Sequence, residues 1–197
     1  DLWSLLNGNA VHWPGFTMLP DCEPNLLPDE LQQRVEPLAQ QVSSGRAGGL
    51  LIKGDAISGQ HFVAWLAKRL KLRAVQIDLT RWQASPLPAA ACRYAGWLPI
   101  IETNLAPGEQ LLIQRPETFP MPMAVLTGND GAILNQELLQ LVLPTPARER
   151  RQALWSSLLG EVPELEILAR SALLDTQRIH AIARQVNDNL WPEEYSL

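Results

Sequence analysis

Gly54 and Gly59 close the apolar run Leu50-Leu51-Ile52-Lys53 and lead into a helical pattern from Phe62 to Leu70. That layout suits a loop whose backbone N–H groups, with the helix N-terminus behind them, cradle phosphate oxygens. Triphosphate chemistry also needs a Lys after the second glycine, to reach the β/γ-phosphates, and a Ser or Thr next to it, to hold Mg²⁺. Gln60 and His61 stand in those places. The missing Lys removes a charge-assisted contact worth about 1.5–3 kcal/mol. Imidazole is a poor replacement for a hydroxyl, because Mg²⁺ prefers hard oxygen ligands. Two readings of the glycine pair stand: a tight strand-to-helix turn packed closely on a sheet, or residual phosphate or nucleotide binding in which Ser58 takes part. His61 likewise reads as a packing residue at a helix start or as a ligand.

Other residues could carry chemistry. Asp78 ends an apolar run and reads as a functional carboxylate or as a cap for the turn that follows. Glu102 ends the run Leu98-Pro99-Ile100-Ile101, is followed by Thr103, and reads as a vestigial metal position or as an ordinary strand-end carboxylate. Arg148, Arg150 and Arg151 read as the solvated first turn of a helix or as an inter-subunit contact. His12, His61 and His180 lack local partners for nucleophilic catalysis, and no Cys/His spacing matches a zinc site.

The elements that would position these groups follow from hydrophobic period. Residues 1–27 hold Trp3, Trp13 and Phe16 among Gly and Pro, and read as an N-terminal arm or linker. Leu31, Val35, Leu38 and Val42 form one helical stripe, with Pro37 inside it predicting a kink or a split into two helices. Strands are predicted at Leu50–Lys53, Ala74–Leu79, Trp97–Ile101 (short or distorted by Pro99), Gln110–Gln114, Met123–Leu126 and Leu138–Leu143. Ser85 predicts the cap of a short helix that Gly96 closes. Three helices follow, marked by Leu154–Leu159, Leu165–Leu173 and Ile179–Val186, the last capped by Asp175-Thr176. Strand–helix alternation and then helices alone imply an α/β domain followed by a helical subdomain.

Composition narrows the function classes. A net charge of -5 argues against a nucleic-acid surface, which needs clustered Lys and Arg. No apolar run reaches the roughly 18 residues of a membrane span, and no signal peptide opens the chain. Scarce, unpatterned Cys22 and Cys92 fit a reducing, cytoplasmic compartment. The start at Asp1, without Met, and the Trp191-Pro192-Glu193-Glu194 ending read as a piece of a longer protein.

In order and spacing, residues 26–190 resemble the AAA+ ATPase module. Gly54-(x4)-Gly59 matches the Walker A glycines, Leu98 to Thr103 the Walker B strand, and Val125-Leu126-Thr127-Gly128-Asn129 the sensor-1 strand. Pro144-Thr145-Pro146 with the arginines after it is similar to the core-to-lid crossing, and Arg178 falls where sensor 2 would lie. The resemblance implies a P-loop NTPase-like parallel sheet flanked by helices and followed by a small all-helical lid. Its divisions are an arm at 1–27, a degenerate AAA+ α/β core at 28–146, a lid at 147–190 and a tail at 191–197. Gly54, Ser58, Gly59, Gln60, His61, Glu102, Asn129 and Arg178 are the implied contacts for ATP or ADP. Gln60, His61 and the single carboxylate Glu102 are departures from the family pattern. So is the short stretch Thr127 to Glu137, which leaves little room for the helix that carries the arginine finger. The implied role is therefore a non-hydrolysing structural, regulatory or protein-interaction module, without a catalytic residue or a metal of its own. It would belong to a larger, tandem ATPase. Nucleotide binding without hydrolysis, or an enzyme of another class using Asp78 and Glu102, are the alternatives. Implied partners are an intact AAA+ domain of the same parent chain or neighbouring subunits of a ring. The family's tandem members include some linked with bacterial contractile injection systems.

Overall fold

Residues Gly49 to Ile52 are buried, as a strand covered on both faces requires, and their continuous apolar character follows from that position. The structure, a computed structural model, describes residues 15–20, 29–116, 119–135, 137–144, 147–160, 165–170 and 176–187. The chain divides into two compact units, Asp1–Leu143 and Pro144–Leu197.

The first unit runs β1 (Phe16–Met18), α1 (Asp29–Ser43), β2 (Gly49–Lys53), α2 (Ala56–Arg69), β3 (Arg73–Ile77), α3 (Leu79–Ala84), α4 (Leu87–Ala95), β4 (Trp97–Thr103), β5 (Gln110–Leu111), β6 (Met123–Thr127), β7 (Ala132–Ile133) and β8 (Leu138–Val142). A six-stranded sheet has the order β1-β3-β4-β6-β2-β8, parallel except for β1, and β5 and β7 form a separate two-stranded sheet. It is a mixed α/β fold with a mostly parallel sheet flanked by helices.

Alternation along the strands sends side chains to two cores. Leu50, Ile52, Ile100, Leu126 and Leu141 pack with Leu31 and Val35 of α1 and with Phe62 and Leu66 of α2. Leu51, Val75, Ile101 and Val125 pack on the other side with Trp82, Ala89, Cys92 and Phe119. Gly49 is required by close approach: at φ +148° a Cβ there would lie 1.8 Å from the Met123 carbonyl oxygen.

Several local expectations change. Helix α1 is continuous through Pro37, which lies on the exposed face where the carbonyl it leaves without a donor is open to solvent. Strand β4 is seven residues long despite Pro99, because its pairing with β6 begins only at Ile100 and Pro99 has one partner strand, β3. Residues 15–20 of the predicted arm include β1, an edge strand on β3. Ser85 is not the helix cap; Pro86 occupies that place, while Gly96 closes α4 at φ +65° as expected. Helix α3 was not legible as a separate element, although its cap Asp78 was.

The second unit contains α5 (Arg148–Leu159), α6 (Leu165–Arg170) and α7 (Thr176–Asn187) around Trp155, Ile179 and Ala183. The predicted cap residue Asp175 lies outside the described residues.

Candidate functional site

Helix α2 begins at Ala56, six residues ahead of where the sequence pattern places it, so Ser58, Gly59, Gln60 and His61 are helical rather than parts of a loop. Asp55 is the reason. Its backbone is extended and its carboxylate accepts from the Ser58 N–H at 2.7 Å, the geometry of an N-cap. The Gly59 N–H donates to the Asp55 carbonyl at 2.9 Å, the first regular turn of the helix. The two glycines therefore serve different ends. Gly54, at φ +127°, makes the strand-to-helix turn, and its N–H donates to the Thr127 carbonyl at 3.0 Å. Gly59 is buried and lets α2 press on β6, since a Cβ there would meet Leu126 Cδ2 at 3.1 Å.

This changes what the helix end can hold. A helix N-terminus attracts an anion with about 0.3–1 kcal/mol at an exposed site and up to about 2 in a partly buried one. The Asp55 carboxylate already sits there, and a second negative charge about 4 Å away would meet repulsion of about 4 kcal/mol at an effective dielectric of 20. His61 is half-buried on α2.

Gln60 and Glu102, 42 positions apart in sequence, meet. Gln60 Nε2 donates to Glu102 Oε2 at 3.0 Å, and Gln76 Nε2 on β3 donates to the same oxygen at 2.8 Å. The parallel register sets Gln76 opposite Ile100, two residues before Glu102 and on the same face of the sheet. The carboxylate end of β4 is thus held by two carboxamides, one from the neighbouring strand and one from the helix above. Such bonds to a charged acceptor are worth roughly 1.5–3 kcal/mol when well buried.

The strand ends beside it carry further polar groups. Lys53 Nζ donates to the Gly131 carbonyl at 3.0 Å, tying the turn after β6 to β2. Thr127 is 4% exposed and its Oγ1 has no hydrogen-bond partner among the described residues. Asn129 is exposed beyond the end of β6. The described residues between β6 and β8 contain β7 and no helix. Asp78 accepts from the Thr80 and Arg81 N–H groups as the cap of α3, which is the capping reading of that residue.

Arg178 lies on α7, and its side chain is outside the described residues. Within the helical unit Arg151 is buried and donates through Nε and Nη2 to the Ala169 carbonyl at 3.1 and 3.0 Å, so it is not the solvated residue the sequence predicts. Arg148 pairs with Glu166 at 2.7 Å. Arg170 and Arg148 beside Glu166 hold its carboxyl below the usual carboxylate range. The Arg150 side chain also lies outside the described residues.

Asp55, Gln76, Lys53 and Thr127 were missed as site residues. A signal existed for two of them. An Asp three residues before Ser58 matches N-cap spacing, and Gln76 is the one polar side chain inside Ala74-Val75-Gln76-Ile77. Among the described residues no group of three His, Cys, Asp or Glu side chains could hold a metal ion, and no helix is long and apolar enough to cross a membrane.

No family model matches the chain and no curated protein matches it. Among solved structures it is similar to a chain of the E. coli MS115-1 HORMA:CdnC:Trip13 complex, with 14% identity and a TM-score of 0.42 over 79% of this chain and 78% of that one. It is similar as well to Rhizobiales Trip13, with 14% identity and a TM-score of 0.41 over 92% of each chain.

Proposed function

We propose that this chain is an AAA+-type module that does not hydrolyse nucleotide and acts as a structural, regulatory or protein-interaction part of a larger ATPase. The observation that carries the reading is the engagement of Glu102 by Gln60 and Gln76. The positions where the family resemblance implies a phosphate-reaching Lys and a metal-linked carboxylate instead satisfy one another. On this reading the core spans 28–146, a lid spans 147–190, and the partners are an intact AAA+ domain of the same parent or neighbouring ring subunits.

Isothermal titration with ATP and with ADP, each with and without Mg²⁺, tests it alongside a phosphate-release assay. Binding no tighter than about 100 μM, or about −5.5 kcal/mol, and no release are expected. Tighter binding without release would replace the reading with a nucleotide-binding, non-hydrolysing domain. Thr127 favours that alternative, as a buried hydroxyl without a partner at the carboxyl end of a central strand, where ligands of open α/β sheets bind. Release that disappears in Glu102→Gln would make the segment an enzyme.

A further inference from the structure

Helix α2 packs on β3, β4 and β6, while β1 extends the sheet beyond β3 on its outer side. A groove of about 570 Å³ lies between the helix and this extension. Met18, Ala64 and Leu72 contribute apolar surface to it, and Lys68, Lys71 and Arg73 contribute three cations. Among the described residues that line it none is acidic.

Three features set these cations apart. The chain carries a net charge of -5, so the groove is opposite in sign to the molecule around it. None of the three forms an ion pair among the described residues, whereas the neighbouring Arg69 lies near Glu36 and over the Trp65 ring. The α2 C-terminus offsets only about half a charge of the three. Lys71 also occupies the left-handed region at φ +59°, just past the end of α2, where glycine is the usual residue. A non-glycine residue there costs roughly 1–2 kcal/mol, and the residue present, Lys71, lines the groove.

The lining decides between classes of anion. Among the described residues that line it there is no aromatic ring on which a nucleic-acid base could stack, and Met18, 43% exposed, supplies an apolar contact that a phosphate chain does not use. We propose that this groove docks an acidic segment of a partner protein, which seats an apolar side chain on Met18, Ala64 and Leu72 and places carboxylates against Lys68, Lys71 and Arg73. The inference is independent of whether nucleotide binds at the other end of the sheet.

Fluorescence anisotropy on the full chain, with a short labelled peptide of alternating Glu and Leu, tests it. Saturable binding is expected, weakening with added salt and falling at least tenfold in the Lys68→Glu/Lys71→Glu/Arg73→Glu variant and severalfold in Met18→Asp. Lys71→Gly relieves the backbone strain while removing one cation, so a several-fold loss in a variant at least as stable as the parent separates docking from misfolding. The proposal is overturned if the peptide does not bind, if the triple variant binds it equally, or if Met18→Asp has no effect. Tighter binding of an oligothymidine of equal charge overturns it too. So does peptide binding that appears only after Asp21→Asn/Glu23→Gln, which would make the chain's own acidic residues the occupant.

Discussion

Glu102 receives both carboxamides on one oxygen, so the two bonds are coupled through a shared acceptor. Gln60→Ala and Gln76→Ala should each lower unfolding free energy by about 1 kcal/mol, below the fully buried figure because all three residues are half-buried. Urea denaturation of the singles and the double should show a coupling of about 0.5 kcal/mol or more. Additive losses would mean that the amides act separately. Cys92 makes a second case. Burial pushes its thiol up to about 12 from an ordinary value of 9.0. The unfolded chain releases that proton first, so this thiol's contribution is intact below about pH 9 and declines as pH rises above it. In a Cys22→Ser background, a thiol reagent at pH 8 should leave native Cys92 unmodified and label it on denaturation. Rapid native labelling would contradict its burial.

Gly49 and Gly59 look alike in sequence and differ as parts of elements. Ala at Gly49 would force a Cβ into the Met123 carbonyl at a φ that L residues avoid, and should cost more than about 3 kcal/mol. Ala at Gly59 gains roughly 1 kcal/mol of helix propensity against a 3.1 Å contact with the movable end of Leu126, and should lie within about 1 kcal/mol of the parent. Thermal melting of the two variants separates them, and equal losses would place Gly59 in a turn instead of in α2. The same pair shows what was legible at this level. The apolar run of β2 and the stripe of α2 were readable because period is a local property. The start of α2 was not, because the Gly54–Gly59 spacing fits a loop as well as a turn, and a single capping Asp55 is a weak local signal. The effect of Pro37 and Pro99 was not legible for a related reason: the cost of a missing donor depends on which side of the element is open.

Both cores of the α/β unit draw their side chains from Phe16 to Leu143, so a chain ending at Leu143 should unfold in one cooperative transition by circular dichroism. A broad, non-cooperative melt would show that the helical unit is needed to complete it. The apolar strands of the main sheet, their alternation with helices and the late change to helices alone were determined by the sequence, since each depends on residue type and near spacing. Tertiary structure decided the strand order, the addition of β1, the pairing of Gln60 and Gln76 on Glu102, and the grouping of three cations beside Met18. Those depend on which distant segments are set side by side, and polar partners are chosen by register and approach rather than by any period along the chain.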